Sequence, residues 1–276
     1  MKAVIAFLCC PLLSVAVLHA QDMPDPEGLE QAPKVSWTRS GISSHTIRYP
    51  AWLGEELTYD VYWGVIQAGT ASLDTNQVVL IDGKTAYRIF SHAETIGFVD
   101  VFYRVRDYNV AWMDAKTFCS LGYSKHLHEG RFMRDEWARF DSAKGVFTAK
   151  IKNKKDQISW VQGKIPENVQ DVLSSFYYIR SQNLIPGTTY TLTVNTQKNW
   201  DLLVRVYPPE EVQVPAGKFI CFPVEPYLRD AGIFIQKGKK LLVWLTADER
   251  KIPVRMQSEV FIGHVRADLN RIKLIE

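Results

Sequence analysis

His126 and His128 stand one residue apart with Glu129 beside them, a spacing that points both imidazoles from one face of a strand. Such a pair can hold zinc or copper once further ligands join it. His92 and His264 could join only if the fold gathers them, so two solvent-facing histidines at a hairpin end are the plainer reading. Ser174 and Ser175 lie one helical turn from Asp171, but no G-x-S-x-G elbow surrounds them. That spacing suits a helix cap, with the Asp171 carboxylate accepting free backbone N–H groups. Glu55-Glu56 and Glu210-Glu211 pair carboxylates as glycoside hydrolysis requires, yet neighbours in a strand face opposite ways. With no phosphate loop and no dinucleotide fingerprint, the chain assembles no catalytic set and calls for no cofactor and no metal.

Binding chemistry is better represented. Ile96 to Tyr103 is an apolar run with neither clean alternation nor a helical face, suited to the rim of a cavity. Phe98, Val101 and Phe102 from that run, with Trp112, Phe176 and Tyr177, are the candidate lining of a pocket for a hydrophobic ligand. The same side chains could fill a core instead. Arg104 and Arg106 share one strand face and could clamp an anionic headgroup or pair with nearby acids such as Asp107. Asp248-Glu249-Arg250-Lys251 reads as a tight turn with self-compensating charges. Lysine plus arginine total 33 against 30 for aspartate plus glutamate, scattered along the chain, which excludes the basic stripe of a nucleic-acid binder.

These side chains must be positioned by strands. In Gly54 to Asp74, two runs of alternating apolar and polar residues meet at the turn bracketed by Gly64 and Gly69, a β-hairpin. Further strands are expected over Thr85 to Ala93, Val101 to Asp107, Asn109 to Asp114, Lys116 to His128 and Phe132 to Asp141. More follow to Gln162 and again from Thr189 to Ile275, with turns such as Asp82-Gly83-Lys84 between them. Pro166 to Gln182 differs, placing Val169, Val172, Leu173, Phe176 and Ile179 at helical spacings. The expected fold is mainly all-β: a strongly curved antiparallel sheet or half-barrel with one main amphipathic helix packed against it.

The N-terminus carries an export pattern. Lys2 precedes an apolar core from Ala3 to Leu18, and Ala20 offers a small side chain for cleavage. Residues 1–20 are therefore expected to be a signal peptide, leaving no transmembrane span in a mature periplasmic or otherwise exported chain. Residues 21–50 read as a flexible or irregular arm with Trp37 as its bulky anchor, and residues 51–276 as a single curved β domain. The mature chain keeps Cys119 and Cys221, which could form one disulfide or remain two separate buried thiols.

GEELTYDVYWGVIQAG, VQDVLSSFYYIRSQNLIPG, VPAGKF and LLVWLTADERKIPVRMQSEVFIGHVRADL occur in an order that resembles the bacterial envelope family called domain of unknown function 3108, over about Pro50 to Leu269. The resemblance implies a single domain, export and a helix against the concave side of a curved sheet, similar in outline to periplasmic lipoprotein carriers. It implies no catalytic residues. Three functions then stand open. The first is a non-enzymatic carrier or sensor of a lipid or other apolar molecule. The second is an envelope protein with a packed interior that docks a protein partner. The third is a hydrolase of glycan or lipid whose polar groups meet only in the fold.

Overall fold

The computed structural model describes residues 25–36, 50–228, 240–260 and 263–275; the expected signal peptide, its cleavage site at Ala20 and Trp37 lie outside them. Seventeen strands of the described residues belong to one curved sheet. A 3-10 helix, Pro26–Gln31, and β1, Lys34–Val35, come first. A meander follows: β2 Glu55–Trp63, β3 Ile66–Ile81, β4 Lys84–Thr95, then helix α1 Gly97–Phe102 and β5 Arg106–Asp114. It continues through β6 Ser120–Glu129, β7 Phe132–Asp141, β8 Val146–Asn153 and β9 Ile158–Lys164, each antiparallel to the strand before it.

The second half begins with β10 Val169–Gln170 and helix α2 Val172–Arg180, then β11 Thr189–Asn195, β12 Asn199–Val206 and β13 Glu210–Val214. It ends with β14 Gly217–Leu228, β15 Leu241–Thr246, β16 Pro253–Glu259 and β17 His264–Leu274. β17 pairs antiparallel with β2, so the last strand joins the first hairpin and the two halves share one sheet. β14 holds three neighbours along its length, β12, β13 and β15.

Alternation decides the faces. In β2, Leu57, Tyr59 and Val61 are buried while the residues between them are partly exposed, the pattern of a strand with one covered side. That inner side is covered by α2, whose Leu173 and Tyr177 join Leu57, Tyr59, Tyr87 and Met113 in the main core. At one end of the interior Trp52 packs edge-on against Tyr87, Phe118 and Tyr177. Its indole N–H donates to Ser181 Oγ at 3.0 Å, so this aromatic plug is also satisfied as a polar group.

The start of α2 is fixed by Asp171, whose Oδ1 accepts the amides of Leu173 and Ser174 at 2.8 and 3.0 Å. Ser174 Oγ accepts the Asp171 amide in return, completing a capping box. The helix is shorter than the expected Pro166 to Gln182, because Val169 and Gln170 pair in parallel with β11. The strand expected over Val101 to Asp107 is likewise replaced at its start by α1. Gly97, at φ +54°, turns the chain out of β4, and Thr95 Oγ1 closes the excursion by donating to Asp100 at 2.7 Å and accepting the Val105 amide at 2.9 Å.

Part of the segment read as a flexible or irregular arm is docked on the outer face. Leu29 is buried with Val79, Val110, Trp112 and Leu121, over Gly122. A Cβ on Gly122 would sit 2.7 Å from Leu29 Cδ1 and 2.2 Å from the Ala138 carbonyl oxygen, so the glycine makes the seat for Leu29. β1 extends the sheet by pairing Lys34 with Val79.

Candidate functional site

On the inner face, cross-strand partners follow Leu73–Ser91, Ala71–Ala93 and Gly69–Thr95 between β3 and β4. All but one of these side chains are small. Opposite them stand bulky ones: Tyr59, Val61 and Trp63 of β2, Leu173 and Phe176 of α2, and Met256 of β16. The mismatch in volume leaves an apolar cleft of about 1060 Å³, part of it open to solvent, with Leu241, Val265 and Ala267 completing its wall. A concave, mainly apolar lining with a few polar groups is typical of a small-molecule site.

The neighbouring strands β5 to β7 make a polar side of the interior. Glu136 is fully buried and accepts from Arg134 Nη2 at 3.1 Å and from the Tyr123 hydroxyl, with Lys125 Nζ at 3.8 Å. Burial alone would raise its pKa, but the charges of Lys125 and Arg134 outweigh it and hold the carboxyl at about 2. Asp107, also buried, moves the other way, raised by desolvation and then by the negative charge of Glu129. A smaller pocket, partly open to solvent, lies on this side, reached by Asn109, Lys125 and Thr196, and Leu173 lines both spaces. Asn109 Nδ2 donates to Ser91 Oγ at 3.4 Å, so a hydrogen bond joins a residue of the apolar cleft to one of the polar cavity.

Phe176 lines the cleft. Tyr177 is fully buried one position away in the aromatic plug. Trp112 faces outward beneath Leu29. Phe98, Val101 and Phe102 lie together on α1 with their side chains exposed. Both thiols, Cys119 and Cys221, are buried and free, so no bridge joins them.

His126 and His128 share one acid, with Asp135 Oδ1 3.0 Å from His126 Nδ1 and 3.1 Å from His128 Nε2. Glu30 takes the other nitrogen of His126 at 3.1 Å. Among the described residues no three His, Cys, Asp or Glu side chains are gathered to hold a metal ion. Asp171 caps α2 and Ser120 Oγ donates to its second oxygen at 2.6 Å, which occupies the carboxylate beside Ser174. Arg106 binds Asp100 at 2.7 Å and Glu94 at 3.6 Å, and Asp248 Oδ1 accepts the amides of Arg250 and Lys251 in a closed turn.

A model of proteins of unknown function, DUF3108, matches residues 58–270. The chain belongs to that family. Among solved structures, this DUF3108 chain is similar to a β-barrel-like protein of another domain of unknown function, DUF1849, from Brucella abortus, with a TM-score of 0.52 and 11% identity over 84% of this chain and 100% of that one. A protein with a YmcC-like fold from Bacteroides fragilis aligns at a TM-score of 0.35 and 12% identity, over 83% of this chain and 99% of that one. No curated protein matches the sequence. The likeness to the Brucella protein is one of fold, an open β-barrel-like sheet.

The small inner residues Gly69, Ala71, Ser91, Ala93 and Thr95 did not stand out in the sequence. Their signal was present as alternate small positions in two consecutive strands, QAGTASL and SHAET, where a packed core would ask for Val, Ile or Leu.

Proposed function

We propose that this DUF3108 protein is an exported, non-enzymatic binder of a lipid or another apolar molecule, held in the cleft between β2 to β4 and α2. The observation that carries this reading is the facing of small side chains on β3 and β4 against Tyr59, Trp63 and Phe176, which leaves apolar surface around open space. A protein whose interior serves only cohesion fills such a gap, because each missing methylene forfeits contacts. The cleft supplies hydrocarbon contact, while Ser91, His92 and Thr95 on its wall offer a few polar groups that could orient a head. Export is supported by the N-terminal pattern of Lys2, the apolar Ala3 to Leu18 and Ala20.

The hydrolase alternative draws on Asp107 and Glu136, whose titration is displaced. Glu136 is already engaged by Lys125, Arg134 and Tyr123, which favours a structural ion cluster over a reacting group. Titration with a fluorescent fatty acid tests the binding reading. Saturable uptake near one per chain, displaced by unlabelled fatty acid, is the expected result; no uptake with the folded protein would count against it.

A further inference from the structure

β2 through β9 form a simple meander, so every second connection falls on the same edge of the sheet. That edge carries the β2–β3 turn, α1, the β6–β7 turn and the β8–β9 turn. Each presents large apolar side chains to solvent. Val65 is 94% exposed, and Phe98, Val101 and Phe102 of α1 are 76%, 80% and 71% exposed. Phe132, Met133 and Ile158 continue the row at the starts of β7 and β9. The rings of Phe98 and Phe102 lie 4.5 Å apart, making one apolar knob. A row of this kind is far from the scattered single apolar residues of an ordinary surface.

The charges beside the knob have one sign left over. Asp100 is taken by Arg106 and Arg104, and Asp156 by Lys152 at 2.9 Å. Arg131 in the β6–β7 turn and Lys154 and Lys155 in the β8–β9 turn are exposed and, among the described residues, have no acidic partner. Apolar tips flanked by unpaired cations match the two layers of an anionic bilayer surface, hydrocarbon beneath and phosphate above. The apolar cleft reaches this same edge, since Trp63, Ala68 and Thr95 of its wall are strand-end residues beside the β2–β3 turn and α1.

We infer that this edge is a membrane-docking surface, in which Phe98, Val101 and Phe102 enter the headgroup and acyl boundary while Arg131, Lys154 and Lys155 contact anionic phosphates. Docking there would set the mouth of the cleft against the bilayer. The inference goes beyond the binding reading and is read out without any ligand.

The test is co-sedimentation of the protein, recovered in soluble form from cells expressing the full chain, with vesicles of phosphatidylcholine alone and vesicles that also contain phosphatidylglycerol. Binding is expected with the anionic vesicles, weakening with salt but not abolished by it. Phe98→Asp and Phe102→Asp should each weaken it about tenfold or more, the loss that follows from no longer burying a large apolar side chain. Arg131→Glu with Lys154→Glu should remove the preference for anionic vesicles. Ile220→Asp, which changes an apolar residue 54% exposed on β14, should bind as the unaltered protein does. No binding to either vesicle, or equal binding by the Phe98, Phe102 and Ile220 variants, would overturn the inference, whatever the fatty-acid titration shows.

Discussion

Arg180 and Glu55 form a buried two-pronged ion pair that ties the last turn of α2 to the first residue of β2. Arg180 Nη2 donates to Glu55 Oε2 at 2.9 Å, and Nη1 donates to Oε1. The rest of the guanidinium is satisfied by the carbonyls of Lys251 and Arg250, at 2.9 and 3.0 Å, in the turn before β16. One side chain therefore fixes the helix against both arms of the sheet, and with it the position of Phe176 over the cleft.

Removing either charge leaves its partner buried and uncompensated. Arg180→Met or Glu55→Gln should each cost about 3–5 kcal/mol. The double variant should cost less than the sum of the two. Urea unfolding at neutral pH measures both, and additive losses would show that the pair does not act as a unit.

Filling the cleft should separate binding from stability. Ala93 and Ala71 face the open space and are only partly buried, so Ala93→Leu or Ala71→Leu adds apolar contact without breaking the sheet. Fatty-acid affinity is expected to fall about tenfold or more, as occupied volume can no longer be vacated by solvent, while the unfolding midpoint is kept or raised. Unchanged affinity in both folded variants would place the ligand elsewhere.

The N-terminal arm is strapped down by a titrating group. His126 is stacked on Tyr108 at 4.1 Å and held between Asp135 and Glu30. Burial opposes its charged form, but the hydrogen bonds and charges of those two acids outweigh it and raise the pKa above 6.5. A raised folded-state value means that the stabilisation is fully present below about 6.5 and is lost as pH rises through the folded value. At the acid end, Glu30 and Asp135 are both lowered against the pull of burial, so their contribution persists below the ordinary carboxylate range before it fails. Proteolytic cleavage near Leu29 should therefore quicken as pH rises above about 6.5 and through the raised folded-state value, and His126→Gln should flatten that rise. A flat profile in the unaltered protein would remove the strap.

Much of the sheet was legible in the chain. Glu55 to Trp63 coincides with β2 because alternation with one covered face leaves few other conformations, and Phe132 to Asp141 coincides with β7 although Glu136 to Phe140 are buried on both faces. The Val101 to Asp107 region was not legible, since its local composition suits a strand. The helix there is set by Gly97 and by Thr95, Asp100 and Arg106, local side-chain hydrogen bonds that hydrophobic periodicity does not show. The cleft was half legible. Phe176 was named from helical spacing, whereas Trp112 falls on the outer face because its parity within β5 places it beneath Leu29. Large side chains drew attention in the sequence, while the space was made by the small ones.

The most direct measurement is native mass spectrometry of the protein recovered gently from the envelope of its own cell, followed by organic extraction. Adduct mass near one lipid or apolar metabolite per chain, lost in Ala93→Leu, is the expected result. A clean apo mass in the unaltered protein, together with no uptake of fatty acid, would contradict the binding reading and leave the cleft without a small-molecule role.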